Sequence, residues 1–199
     1  MGITIEGYVA YATQAVTVVL GLYIFFGITI FVSKFWGAPW VISSKKSIRQ
    51  MLTLAQVQPG ETVLDLGAGD GRILITAIQE FQAKGIGIEI DPFRCLLAHI
   101  FLKRRRLNKS GKVIWGDIFS TQFPEANVIT LFLTRDTNLK LKPILEEQLK
   151  PGTRIVSNGD TIPGWTASKI DNQNLIFLYV LGETDSSHIT EFVRSDVQT

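Results

Sequence analysis

The chain has almost no cysteine: Cys95 is the single one in 199 residues. An intramolecular disulfide is therefore impossible, and a secreted scaffold stapled by bridges is excluded. Cys95 and His99 share a predicted helix face at i, i+4, but two ligands without partners make no metal site, and none is expected. The pattern predicts a core cysteine beside a half-buried histidine. Internal repeats and low-complexity stretches are also absent. Charge is nearly balanced, with 20 Lys and Arg against 18 Asp and Glu, and the net +2 says little about the fold. The sharpest absence is local. From Gly7 to Ser33 there are 27 residues without a charge, and no Lys or Arg precedes them.

That run is apolar all round, through Val16, Val18, Val19, Leu20, Leu22, Ile24, Phe25, Phe26, Ile28, Ile30 and Phe31. As a helix it spans about 40 Å, more than the roughly 30 Å of bilayer hydrocarbon. A cleaved signal peptide is the competing reading. It wants a shorter apolar core and positive charge ahead of it, whereas the only charged side chain there is Glu6. Lys34, Lys45, Lys46 and Arg49 follow closely. The positive-inside rule thus predicts a single-pass anchor with its N-terminus outside and the following domain in the cytoplasm. The expected location is a bacterial inner membrane, or a mitochondrial membrane in a eukaryote. Tyr8, Tyr11, Trp36 and Trp40 suit the two interfaces. The expected organisation is an N-terminal membrane segment over 1–36, a linker and helix over 37–60, and a catalytic domain over 61–199.

The domain opens on Val63-Leu64-Asp65-Leu66-Gly67-Ala68-Gly69-Asp70-Gly71-Arg72-Ile73. An apolar strand ends in Asp65, three glycines follow at alternate positions, and a helical period begins. Gly67, Gly69 and Gly71 allow a sharp turn and a close approach of backbone to ligand. The helix then starts with unpaired N–H groups and a partial positive charge, a corner suited to a nucleoside-like cofactor. The spacing is G-x-G-x-G, not the G-x-G-x-x-G of dinucleotide enzymes. It resembles motif I of class I S-adenosylmethionine-dependent methyltransferases.

Two further acids follow at strand ends. Lys84–Glu89 reads as a short strand, and an acid at the tip of a second strand suits paired ribose hydroxyls. Asp91-Pro92 then caps the next helix. The third strand, Lys112–Trp115, leads to Asp117 and Ile118. By the methyltransferase resemblance, Asp117 reaches the adenine amino group and Ile118 packs on the ring. Lys103–Arg106 is a basic run at a helix end, favoured there by the helix dipole. It is read as a solvated face, with anionic lipid as the alternative. No aromatic residues are interleaved with it, which argues against nucleic acid.

Downstream, Ser43 or Ser44 caps a helix reaching Ala55, Asn127–Leu133 is a fourth strand, and Asn138–Leu149 a helix. Thr153–Ser157 is a fifth strand, and Asn174–Leu181 with His188–Arg194 form a closing antiparallel pair. The fold class is α/β: a seven-stranded Rossmann-like class I methyltransferase sheet behind an N-terminal transmembrane helix.

Three stretches narrow the resemblance. They are Gly37–Val41, Leu131–Leu133 with Leu139–Leu145, and Leu149–Ser157 leading to Ile162–Trp165. With the anchor and Asp65–Ile73, they resemble the family with sequence similarity 173, over roughly residues 15 to 165. Its animal members are membrane-anchored mitochondrial lysine methyltransferases acting on the adenine nucleotide translocase and the ATP synthase c subunit. This chain has no Arg- and Ser-rich leader, which points to a bacterial relative. The resemblance implies S-adenosyl-L-methionine as cofactor, held by Asp65, Gly67, Ala68, Gly69, Gly71, Glu89, Asp117 and Ile118. It implies a membrane-protein substrate and lysine N-methylation. Thr134-Arg135-Asp136 replaces the Asn-Pro-Pro-Tyr pattern of amide and nucleobase methylation, which argues against DNA or glutamine as acceptor. Thr134 and Asp136, past the fourth strand, are candidates for orienting the acceptor amine. Trp165 is read as a packed loop aromatic. Two alternatives stay open: methylation of a lipid or small membrane-soluble molecule, and a non-catalytic membrane adaptor with a degenerate fold.

Overall fold

The computed structural model describes residues 4–36 and 44–182, with backbone alone at 25, 26 and 28–36. Two compact units result, 1–40 and 41–199. In the first, helix α1 runs over Ile5–Trp36, 32 residues. Its stretch Ile5–Ile24 has mean hydropathy 1.4 and no buried side chains, so it is long and apolar enough to cross a bilayer. The two threonine hydroxyls of that stretch are satisfied locally. Thr13 Oγ1 donates to the Val9 carbonyl at 2.8 Å and Thr17 Oγ1 to the Thr13 carbonyl at 2.9 Å, which lowers the cost of placing them in hydrocarbon.

The second unit opens with helix α2, Lys45–Leu54. Ser44 is its cap, its hydroxyl accepting from the Ser47 amide at 3.0 Å, an interaction worth about 1 kcal/mol. Ile48, Met51 and Leu52 lie on one face of α2 and are buried. Strand β1 (Thr62–Leu66), helix α3 (Arg72–Phe81), strand β2 (Lys84–Glu89), helix α4 (Pro92–Arg104) and strand β3 (Gly111–Trp115) follow. Then come β4 (Val128–Leu131), α5 (Arg135–Gln148), β5 (Arg154–Asn158), β6 (Lys169–Asp171) and β7 (Ile176–Val180).

The seven strands form one sheet in the order β3-β2-β1-β4-β5-β7-β6. The first five are parallel, while β7 runs antiparallel to β5 and β6 antiparallel to β7. Strand order reverses between β1 and β4, and ligands of such sheets sit outside the carboxyl ends of the strands at that switch point. Period-two alternation divides the core. Val63, Val128, Val156 and Leu178 pack with α2 and α3. Leu64, Leu66, Ile129, Leu131, Ile155 and Tyr179 face the other way, against Leu141 and Leu145 of α5. A third cluster seats α4 through Cys95, Ala98 and Leu102 on Leu74 and Val113.

Several expected bounds move. The fourth strand stops at Leu131 rather than Leu133, and α5 starts at Arg135 rather than Asn138. The cause is Thr134, whose side chain accepts from the Thr137 amide and starts the helix three residues early. Among the described residues the closing pair is β6 with β7. The Asn174–Leu181 strand is present as β7, but its partner precedes it, joined by a turn in which Asp171 accepts from the amides of Gln173 and Asn174, each at 3.1 Å. His188–Arg194 lies outside the described residues.

Candidate cofactor site and acceptor rim

Asp65 sits one residue before the end of β1 and is 2 % exposed. Its Oδ1 accepts from Thr130 Oγ1 of β4 at 2.7 Å. Its Oδ2 is buried and has no partner. Burial pushes the carboxyl up to about 7; the Thr130 hydroxyl opposes this, and the like charges of Glu89 and Asp70 add to it. An orphaned buried acceptor of this kind suits a cationic donor.

The loop after Asp65 is held in a shape that only glycine adopts freely. Gly67, Gly69 and Gly71 have φ of 88°, 54° and 77°, the left-handed region. A Cβ at Gly71 would lie 3.2 Å from the Ala98 Cβ, and one at Gly67 3.3 Å from Leu133 Cδ2. Gly71 starts α3 without a side-chain cap, so the loop lies at that helix's positive end. Ala68 is buried and wedged over β2: a Cβ added at Gly87 would meet the Ala68 Cβ at 2.5 Å. Beside them Arg72 forks onto Asp70, with Nη2 2.7 Å from Oδ2. Burial alone would raise the Asp70 carboxyl, but the guanidinium outweighs it and holds that carboxyl below its usual range.

Glu89 joins three loops. It is 4 % exposed, and its Oε2 accepts from the Gly69 amide at 2.7 Å while Oε1 accepts from the Asp91 amide at 2.9 Å. Its own carbonyl accepts from the Gly116 amide at 3.0 Å. The preceding residue, Ile88, accepts from the amides of Gly67 and Ala68 at 2.9 and 3.0 Å. The motif I loop, the tip of β2 and the loop after β3 thus form one hydrogen-bonded corner. Each Glu89 oxygen keeps a lone-pair direction for a further donor. Asp117 follows Gly116, and its Oδ1 accepts from the Phe119 amide at 2.9 Å. Ile118 is half-buried against the core that carries Ile88 and Leu131.

The loop after β4 borders this corner through Leu133 and Gly67. Thr134 is engaged as the α5 cap, sharing a 2.9 Å hydrogen bond with the Thr137 hydroxyl. Asp136 is exposed in the first turn of α5. Behind them Asn138 is fully buried; its Nδ2 donates to the Thr161 carbonyl at 3.2 Å, which ties α5 to the loop after β5. Trp165 packs against Tyr179 with ring centroids 5.8 Å apart, and its indole donates to Glu146 Oε1 at 2.9 Å.

Sequence reasoning passed over Thr130 and Asn138. Both carried a signal: Thr130 is the one polar residue in Val128–Leu131, and Asn138 lies on the buried stripe of α5 with Leu141 and Leu145. A polar residue on a buried face needs a partner. One expectation fails outright. His99 is exposed, not half-buried, because its place on α4 faces solvent; the ring stays tied to the Cys95 carbonyl at 2.8 Å. Among the described residues no three His, Cys, Asp or Glu side chains cluster to hold a metal.

The family model of the ANTKMT methyltransferase domain matches residues 65–169. A protein-lysine N-methyltransferase of Saccharolobus islandicus is 39 % identical over 152 residues, covering 73 % of this chain and 94 % of that protein. The adenine nucleotide translocase lysine N-methyltransferase of Mus musculus is 29 % identical over 127 residues, 64 % of this chain. The match spans only 55 % of that mouse protein. The crystal structure of an RNA methyltransferase from Salinibacter ruber with S-adenosyl-L-homocysteine superposes with a TM-score of 0.70 at 36 % identity, covering 74 % of this chain and 97 % of that one.

Proposed function

The chain belongs to the ANTKMT methyltransferase family and takes S-adenosylmethionine as cofactor, and on that premise we propose that it methylates lysine side chains of a membrane protein from a single-pass anchor. The observation that carries the reading is the preformed corner of Asp65, Gly69, Glu89 and Gly116, with one Asp65 oxygen left unpartnered. Those residues fit the cofactor. The orphaned Asp65 oxygen would take a cationic donor, Glu89 the ribose hydroxyls, and Asp117 with Ile118 the base. The glycines clear space for backbone approach. When bound, the cofactor supplies an electrophilic methyl group on a sulfonium.

The protein's own contribution is alignment more than proton chemistry. An acceptor lysine must arrive neutral, and desolvation of its amine on binding would lower its pKa. Asp136 stands at the rim with an exposed carboxylate able to orient an ammonium or amine, whereas the Thr134 hydroxyl serves the helix cap. The membrane-protein substrate is supported by the mouse relative, which acts on a translocase, and by the length and hydropathy of α1. An anchor of that kind raises the effective concentration of a substrate in the same membrane.

Tritium transfer tests this. Purified full chain is mixed with labelled cofactor and membranes from a source strain lacking it, and the products are divided into protein, organic-extract and RNA fractions. Label in a discrete protein band, on lysine by mass and lost with Asp65→Asn, is the expected result. The Salinibacter likeness favours a second reading, RNA methylation, which predicts label in the RNA fraction. Label in the organic extract would move the assignment to a lipid acceptor. A chain that washes off membranes in carbonate would remove the anchor from the proposal.

A further inference from the structure

Cations from two helices of the second unit meet at one cleft. Helix α2 begins at Lys45 and Lys46, with Arg49 a turn later, and α4 ends in Lys103-Arg104-Arg105-Arg106. These runs are far apart in sequence, yet Lys45 and Arg105 line one cleft of about 270 Å³ along α3, with Arg72, Thr76 and Phe101. The acids nearby are spoken for: Glu80 pairs with Lys45 and Arg49, and Asp70 with Arg72. Among the described residues, Lys46, Lys103, Arg104 and Arg106 make no ion pair, and all four are exposed.

The outer side of α4 is apolar in a particular way. Helix α4 buries Cys95, Ala98 and Leu102. Its outer side leaves Leu96 56 % and Ile100 40 % exposed, one turn apart, and Lys103 and Arg104 come a turn further on. Aliphatic side chains leading into a block of cations are the pattern of a helix that lies on a membrane surface. Nucleic acid is the weaker match. Single strands want stacked aromatic platforms, and the ring set among the cations, Phe101, is covered by the Arg105 guanidinium 5.7 Å from its centroid.

Chain connectivity supplies the neighbour. Eight residues, 37–44, separate the last residue of α1 from Lys45. Fully extended they reach about 30 Å, whatever course they take. We infer that the outer side of α4, with Leu96, Ile100, Lys103 and Arg104, docks on the anionic headgroups of the bilayer that holds the anchor, the exposed cations Lys46 and Arg106 adding to its charge. The inference rests on the anchored reading above. Docking replaces a freely swinging domain with one held against the surface by charge.

The experiment uses the full chain in nanodiscs of phosphatidylcholine alone or mixed with phosphatidylglycerol. A dye on Ile100→Cys reports contact through quenching by spin-labelled lipid, while the native Cys95 is buried and escapes labelling. Quenching is expected on phosphatidylglycerol discs and not on phosphatidylcholine discs, and it should fade as salt is raised. Each cation near an anionic leaflet favours the docked form about fivefold, so Lys103→Gln/Arg104→Gln/Arg106→Gln should lower the docked-to-free ratio roughly a hundredfold. The salt titration of the parent chain decides the same point if that variant folds poorly. Equal quenching on both discs, or none on either while the chain stays in the disc, overturns the docking face alone. A chain that enters neither disc overturns the anchor, and this inference with it. A dye response to an RNA oligonucleotide, with none to phosphatidylglycerol, reassigns the face to nucleic acid and refutes the lipid reading.

Discussion

Cofactor affinity should depend on pH through Asp65, and the size of the effect follows from its burial. The carboxyl moves from an ordinary 3.8 to about 7 in the folded chain. An acid with a raised folded pKa holds its proton longer in the native state. Its contribution to stability is therefore whole below about 3.8 and lost as pH rises through about 7. The interval of roughly 3 pH units corresponds to a loss on the order of 4 kcal/mol. A bound cation beside Oδ2 reverses the preference and favours the carboxylate. If ionised Asp65 is the form that binds, its population rises from about a tenth at pH 6 to about nine-tenths at pH 8, so affinity for S-adenosylhomocysteine should rise about tenfold and then level off.

Titration calorimetry in two buffers of different ionisation enthalpy measures both the affinity and the proton released. Thr130→Val sharpens the test. It removes the hydroxyl that donates to Oδ1 at 2.7 Å, a bond to a charged acceptor worth about 1.5–3 kcal/mol. The binding curve should then move up by about 1–2 pH units. Asp65→Asn should bind weakly, with no pH dependence, and in the absence of cofactor should be more stable than the parent at pH 8. Affinity that is flat from pH 6 to pH 8 in the parent chain, or a Thr130→Val curve that does not move, would refute the reasoning.

Glu89→Gln places an amide N–H₂ against the amide of either Gly69 or Asp91; it should cost about 1–3 kcal/mol in urea unfolding and weaken S-adenosylhomocysteine at least about tenfold. Gly87→Ala forces a Cβ into Ala68 at 2.5 Å; overpacking of this kind costs about 1–3 kcal/mol, and calorimetry should show weaker cofactor binding because Ala68 belongs to the motif I loop. Thr134→Ala should lose about 1 kcal/mol of stability by thermal melting, and Thr134→Asp should restore it as an equivalent cap. Asp136→Asn should lower kcat in the lysine transfer assay while leaving cofactor affinity unchanged.

The cofactor corner is legible in the sequence because its signals are local. Three glycines two apart demand left-handed backbone, and Asp65, Glu89 and Asp117 each stand within two residues of the end of a strand. Parallel strands joined by helices then force those three strand ends to one edge of the sheet. The partners of these acids are not legible there, because hydrogen bonds such as Thr130 to Asp65 span 65 residues and leave no period in the sequence. The β6 strand escapes for a different reason. Its three residues are exposed or half-buried, so neither a hydrophobic run nor an alternation marks it, and only the Asp171–Asn174 turn announces a hairpin there. The α5 start is misplaced because its apolar stripe begins with a buried asparagine, Asn138, which reads as a boundary when only apolar positions are counted.

The proposed acceptor rim is coupled to the cofactor loop by contact. Leu133 lies against Gly67, one residue before the threonine that caps α5, and Asn138 ties the same helix to the loop after β5. A change at Thr134 therefore acts on two things at once: the helix that carries Asp136 and the leucine that backs the first glycine of the loop. A loss of activity in Thr134→Ala says nothing about chemistry until Thr134→Asp has been measured beside it. If the aspartate restores both melting temperature and kcat, the hydroxyl works through the cap. If it restores melting temperature alone, Thr134 touches the acceptor, and the assignment of the rim to Asp136 has to be shared between them.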